Sequence, residues 1–300
     1  MPGGEGLALA AGLARPSSPT LAVAALVLLA AALHAGWNAL AKAIGDTLVA
    51  FWLINATVAA TGAVLVALLG LPPGAALPFL AGSLLIHVGY NLALLNAYRV
   101  ADLSQAYPLA RGAAPLLVAV VATITIGERL GVAQVLGLVA VAGGLASLGW
   151  PTRGAWRAER RGIGLALLTG LAIAGYSITD GLGVRHDPSA LGYAGALFLL
   201  EGGVLTIVLP LRRGLLGRVR GAGGGALAGG VAAGELSFVA YALVLWAQSK
   251  VALATVSALR ETSVVMAALF GVVFLGEGPA RRRLLAALSV AAGVAVLVVA

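Results

Sequence analysis

From residue 21 onward the sequence is a succession of apolar runs, each about as long as a helix must be to cross a bilayer. A helix rises about 1.5 Å per residue, so about 20 apolar residues span the hydrocarbon. On that ruler, spans fall at residues 21–41, 47–69, 76–97, 103–126, 131–149, 162–183, 189–210, 224–248, 252–275 and 281–300. Inside hydrocarbon the backbone must satisfy its own polar groups, and runs of this length do so as helices. Composition agrees: 61% of residues are hydrophobic and 10% charged, where a soluble domain carries about a quarter charged residues. The expected fold class is an all-α integral membrane protein with ten transmembrane helices.

A long-range repeat organises these spans. Arg111, Gly127, Glu128 and Gly144 recur at one offset of 149 as Arg260, Gly276, Glu277 and Gly293. The one clearly hydrophilic connector near mid-chain, WPTRGAWRAERRG, divides the spans into two sets of five. Five is odd, so two copies of such a unit in one chain lie in opposite orientations across the membrane, an arrangement typical of transporters. The expected division is a tail at 1–20, a first five-helix repeat at 21–149, a basic connector at 150–161 and a second inverted repeat at 162–300. Residues 1–20 are expected to be a short tail ahead of the first span, since a secretory leader would want a basic start, a shorter core and a small-residue cleavage site.

Charge sets the expected orientation. The odd-numbered connectors hold Lys42, Arg99, Arg153, Arg157, Arg160, Arg161, Arg212, Arg213, Arg218, Arg220, Arg281, Arg282 and Arg283; the opposite face holds Arg15, Arg129, Arg185 and Lys250. The positive-inside bias puts the odd connectors in the cytoplasm and both termini outside. Clusters of arginine between apolar runs suit anionic headgroups, so the net charge of +8 does not argue for nucleic acid. With no cysteine there is no disulfide, thiolate chemistry or cysteine metal site, and His34, His87 and His186 are too scattered to suggest one. No Walker motif or intramembrane protease motif occurs, so no enzyme, cofactor, metal or catalytic residue is expected.

Polar groups inside spans are costly and mark function or internal pairing. An arginine at mid-membrane costs about 2.5 to 3.5 kcal/mol on insertion scales, so Arg111 and Arg260 are read as symmetry-related groups facing one central cavity. His34, Asn38 and Lys42 share one helix face, with Trp37 beside them; His87, Asn91 and Tyr98 share another, with Tyr90 at its edge. Gln105 and Tyr107 precede Arg111, and Pro108 and Pro115 bracket it, so a bent helix is expected there and not at Arg260, which has no nearby proline. Tyr176, Asp180 and Trp246 continue the theme in the second half. Glu201, Glu235 and Asp180 are the carboxylates expected to be buried and to exchange protons. Glu128 and Glu277 oppose the dipole of their own helices and are expected to cap the N-termini of neighbours. The glycines at 143, 144, 225, 229, 230 and 234 are read as packing residues.

Three stretches, HAGWNALAK at His34–Lys42, YPLARGAAPLLVAVVATITIGERL at Tyr107–Leu130 and LRETSVVMAALFGVVFLGE at Leu259–Glu277, resemble the EamA-type family of the drug/metabolite transporter superfamily. The resemblance runs from the first span to the end as two repeats, although the second offers only YSITDG at Tyr176 in place of WNALAK. It implies a two-repeat bundle in a bacterial inner membrane that moves a small polar metabolite, such as an amino acid or other organic anion or zwitterion, by alternating access and often outward. A lipid flippase or multidrug exporter on the same fold is the alternative. The substrate-binding set then comprises Arg111, Arg260, Trp37, Asn38, His87, Tyr90, Asn91, Tyr107, Tyr176 and Trp246. Expected partners are a small-molecule solute and membrane lipid, with the chain a monomer or weak homodimer.

Overall fold

The computed structural model describes residues 21–97, 103–149, 156–211, 214–266 and 280–299. The tail, Glu277, Tyr98 and residues 150–155 of the mid-chain connector lie outside them, as do the side chains of Gln105, Tyr107 and Pro108.

The long elements are all helices: α1 Leu21–Ala43, α2 Thr47–Leu69, α3 Leu77–Ala97, α4 Leu103–Ile126, α5 Val132–Gly149, α6 Trp156–Arg185, α7 Ala190–Val208, a short α8 Leu215–Arg220, α9 Gly224–Gln248, α10 Leu253–Arg260 and α11 Ala280–Val299. Five of them hold a stretch long and apolar enough to cross a bilayer: Leu21–Ala43, Thr47–Leu69, Leu167–Arg185, Ala190–Leu211 and Gly224–Gln248. Shorter apolar helices run Ala110–Ile126, Val132–Leu148 and Leu284–Val299. This is a multi-pass membrane protein. Starts are fixed locally: the Asp46 carboxylate accepts the N–H groups of Leu48 and Val49 at the head of α2, and the Ser189 hydroxyl accepts that of Gly192 at the head of α7.

Helix α6 begins six residues before the expected span, because the basic segment from Trp156 coils continuously into the apolar run. The larger departure is in the ninth expected span. Instead of one helix over 252–275, α10 stops at Arg260, and Glu261 forms a turn before helical residues 262–266. The Glu261 N–H bonds the Ala258 carbonyl and the Val264 N–H bonds that of Glu261, both three residues back, while the Thr262 hydroxyl takes the Leu259 carbonyl. By contrast α4 runs unbroken through both of its prolines. The interruption is thus in the other half of the chain, where no proline stands near, and a local shift to 3₁₀-type bonding makes it.

The packing between halves recurs in matched pairs. The second spans, α2 and α7, lie against each other, and so do the fifth spans, α5 and α11. The first span of each half packs on the third span of the other, α1 on α9 and α6 on α3; the fourth packs on the opposite first, α4 on α6 and α10 on α1. At the α5–α11 crossing the Ser289 hydroxyl donates to the Ala140 carbonyl at 2.8 Å, between residues 149 apart. A Cβ on Gly137 would lie 2.8 Å from the Gly293 carbonyl oxygen, and one on Gly293 2.5 Å from that of Gly137. Only glycine permits this approach, and close backbone contact is what holds helices together in lipid. Gly62 and Gly195 play the same part between α2 and α7, with a Cβ on Gly62 falling 2.5 Å from the Gly195 oxygen. In both crossings the contacts descend one helix as they climb the other, so the partners are antiparallel. Val23 and Val27 of α1 cluster with Val251, and Leu297 of α11 clusters with Leu253, so both ends of the described chain sit on the face that carries the α9–α10 corner.

Candidate functional site

Between these helices, away from their ends, lies a buried polar cluster. Arg111 of α4 places its Nε 2.6 Å from Glu261 Oε2, with both side chains almost inaccessible, and its Nη2 donates to the Ser263 hydroxyl at 3.3 Å. Arg260 is held differently. It donates to the Tyr176 hydroxyl at 3.0 Å and the Ser177 hydroxyl at 3.4 Å, and its guanidinium lies 5.7 and 5.6 Å from the ring centres of Tyr176 and Tyr241. These are neutral partners, and among the described residues Arg260 makes no ion pair. An arginine keeps its proton in any protein environment, so this is a buried positive charge whose direct contacts are hydroxyl dipoles and ring faces, with the charge of Glu261 acting on it at longer range.

The aromatic floor continues into α3 and α7. His87 stacks on Tyr176 with ring centres 4.0 Å apart, Tyr90 lies edge-on to Tyr176 at 6.0 Å, and Phe198 lies edge-on to Tyr241 at 5.8 Å. His87 Nδ1 is 3.0 Å from the Ser83 hydroxyl one turn earlier. Asp180 is fully buried and receives two hydroxyls, from Tyr241 at 2.5 Å and Tyr193 at 3.2 Å. Tyr241 thus touches both poles: its ring lies beneath Arg260 and its hydroxyl binds Asp180. Glu201 of α7 accepts from the Asn91 amide of α3 at 2.8 Å.

The structure brings Arg111, Arg260, Tyr176, His87, Tyr90, Asn91, Asp180 and Glu201 to this buried region, with the Asn91–Glu201 pair beside the rings. Others of the expected set fall elsewhere. Trp37 donates to His34 Nδ1 at 3.3 Å at the edge, and His34 is within electrostatic reach of both arginines. Asn38 is exposed and bonds its own helix at the His34 carbonyl. Trp246 packs in an apolar cluster with Val23, Val27 and Val251. Glu235 is corrected: it is exposed, not buried, and takes the Thr61 hydroxyl at 2.6 Å. Its neighbour Gly234 occupies the packed face of α9, against Thr57 and Ile54 of α2, which turns Glu235 to the side. Tyr193, Tyr241, Ser83, Ser177, Glu261 and Ser263 were not singled out by sequence. The available signal was RETS at 260–263, four consecutive polar residues that a continuous helix would scatter round its circumference.

A second polar group closes one end of the bundle. Glu128, following α4, accepts the N–H groups of Leu253 at 2.9 Å and Ala254 at 3.4 Å, capping α10 from across the chain. Burial raises its carboxyl above the ordinary range, and the two N–H bonds and the charge of Arg185 pull it partly back. Arg185 donates to the carbonyls of Gln248 and Val251 where α9 ends, and stands 3.9 Å from Glu128. A carboxylate at a helix start and a cation at a helix end both suit the helix dipoles, as the sequence led us to expect of Glu128.

Residues 160–299 match the model of the EamA-like transporter family. Over those residues the chain is similar to EamA-like transporters. That family is one of membrane transporters. Among solved structures 27 chains match this chain; one, described as "Crystal structure of protein", aligns with a TM-score of 0.70 at 18% identity, covering 94% of this chain and 98% of its own. The shared fold therefore extends over both halves, beyond the family match. No curated protein matches.

Proposed function

We propose that this chain is an EamA-type secondary active transporter of a small polar metabolite carrying a carboxylate, such as an amino acid or other organic anion or zwitterion. It works by alternating access between two inverted five-helix repeats, in the export direction, across a bacterial inner membrane. The observation that carries the reading is Arg260: a buried, permanent positive charge whose hydrogen-bond and ring partners among the described residues are neutral, set between two tyrosine rings. A carboxylate entering there gains a charge-assisted bond that the protein itself leaves unmade. Arg111, its equivalent at the repeat offset, is satisfied by Glu261, so the pair is chemically unequal although related by position.

The inverted-repeat part of the proposal is supported by the matched helix contacts, the antiparallel crossings of equivalent helices and the Ser289–Ala140 bond at the repeat offset. The basic bias of the odd connectors supports the orientation with both termini outside.

The test is counterflow in proteoliposomes of the purified chain, using labelled amino acids, dicarboxylates, a lipophilic cation and a fluorescent phospholipid. Exchange of an amino acid or dicarboxylate supports the proposal. Exchange of the cation or phospholipid alone overturns it in favour of a multidrug exporter or a flippase.

A further inference from the structure

Three carboxylates are buried in or beside the cluster, and the protein treats them unequally. Glu261 faces a guanidinium at 2.6 Å. Asp180 receives two tyrosine hydroxyls and lies within electrostatic reach of His87. Glu201 has the Asn91 amide at 2.8 Å and no ion pair among the described residues. A buried carboxylate with a single neutral donor leaves most of its acceptor capacity unmet when ionised, which costs several kcal/mol at hydrocarbon depth.

Among the described residues no ion pair relieves this. Of the elements packed against α7, α2 carries no ionisable side chain. Helix α3 brings His87 and Tyr90 beside Asn91, and α6 brings Tyr176 and Asp180, which lies within electrostatic reach of Glu201. Helix α9 brings Tyr241, and Glu235, which is exposed and held by Thr61; on α7 itself Tyr193 is committed to Asp180. Asp180 has two hydroxyl donors and His87 within reach, whereas Glu201 has the Asn91 amide alone, so an ionised Glu201 is the less compensated of the two.

We infer that Glu201 is a proton-binding site of this transporter, taking up and releasing one proton per cycle, with Asn91 as the residue that positions it. On release the carboxyl O–H bond breaks, the proton passes to water on one face, and the carboxylate left behind accepts from Asn91; reprotonation draws a proton from water on the opposite face. This places the driving ion at a residue distinct from Arg260, and rests on the transport reading above.

The first test needs no solute. Infrared difference spectra of the purified chain in lipid, titrated with pH, should show a protonated-carboxyl C=O band that bleaches as pH rises, is missing in Glu201→Gln and persists in Glu261→Gln. Asn91→Ala, which removes the donor that favours the ionised form, should move the midpoint up by about one pH unit. A band that survives in Glu201→Gln, or a wild type with no such band, overturns the assignment. The second test imposes a pH gradient on proteoliposomes with labelled amino acids: gradient-driven accumulation should vanish in Glu201→Gln, and its survival would equally overturn the assignment. If the wild type moves no amino acid at all, the solute proposal fails, while the infrared titration still decides Glu201.

Discussion

Arg111 of the first half ion-pairs with Glu261 of the second, the residue immediately after Arg260. The two equivalent arginines are thereby separated in role, because the turn at Glu261 hands the acid to one while Arg260 keeps to hydroxyls and rings. This bond also ties α4 to the broken segment after α10.

Removing one partner of that pair strands a buried charge. Arg111→Gln and Glu261→Gln should each destabilise the protein by roughly 3 kcal/mol or more, whereas the double variant should recover much of the loss. Thermal unfolding of the three variants in detergent checks this; additive losses would mean that the pair is not coupled.

Much of the bundle was legible from sequence. The spans at 47–69, 103–126 and 224–248 coincide with helices, because run length and polarity alone decide where a helix can lie in hydrocarbon. Glu128 as a cap for a neighbour was legible from its conflict with its own helix dipole. The Glu261 turn was not, since nothing but four adjacent polar residues marks it and no proline or glycine does. Nor were Tyr193 and Tyr241, whose ring faces alternate between core packing and polar bonding with no spacing to distinguish them. Glu235 was misread because helix position cannot tell a packed face from its shoulder until the glycine beside it is seen against α2.

Close approach at the α5–α11 crossing gives a paired prediction. Gly293→Val forces a side chain onto the Gly137 carbonyl 2.5 Å away, and should cost more than the usual 1–3 kcal/mol of overpacking because backbone must move. Gly143→Ala, with open space at that position, should be neutral or gain about 0.5 kcal/mol from helix propensity. Yield of folded protein and melting temperature separate the two.

Glu128 couples stability to pH. Its carboxyl is raised above 4.5 in the folded protein, so between the unfolded and folded values the native state holds more proton than the unfolded one. The contribution of this group is therefore fully present below about pH 4.5 and declines as pH rises through the folded value. Glu128→Gln should remove that slope, and Glu128→Ala should lose about 1 kcal/mol of capping at α10. Melting curves from pH 4 to 8 measure both; a wild-type advantage over Glu128→Gln that grows with pH would contradict the sign.

Since the chain has no cysteine, single cysteines report topology cleanly. Gly221→Cys, after α8, should be protected from an impermeant thiol reagent added to intact cells, and Gly131→Cys, at the head of α5, should be labelled. The reverse pattern would invert the proposed orientation.

The central claim is best tested at Arg260, because its partners are neutral and its replacement strands no buried carboxylate, as replacing Arg111 would. Counterflow of labelled amino acids and dicarboxylates should be measured for wild type and Arg260→Gln at matched melting temperature. The account predicts exchange by the wild type and at least a tenfold loss in the variant, the scale of one charge-assisted bond to a carboxylate. An Arg260→Gln protein that exchanges the same solute at the wild-type rate would contradict it.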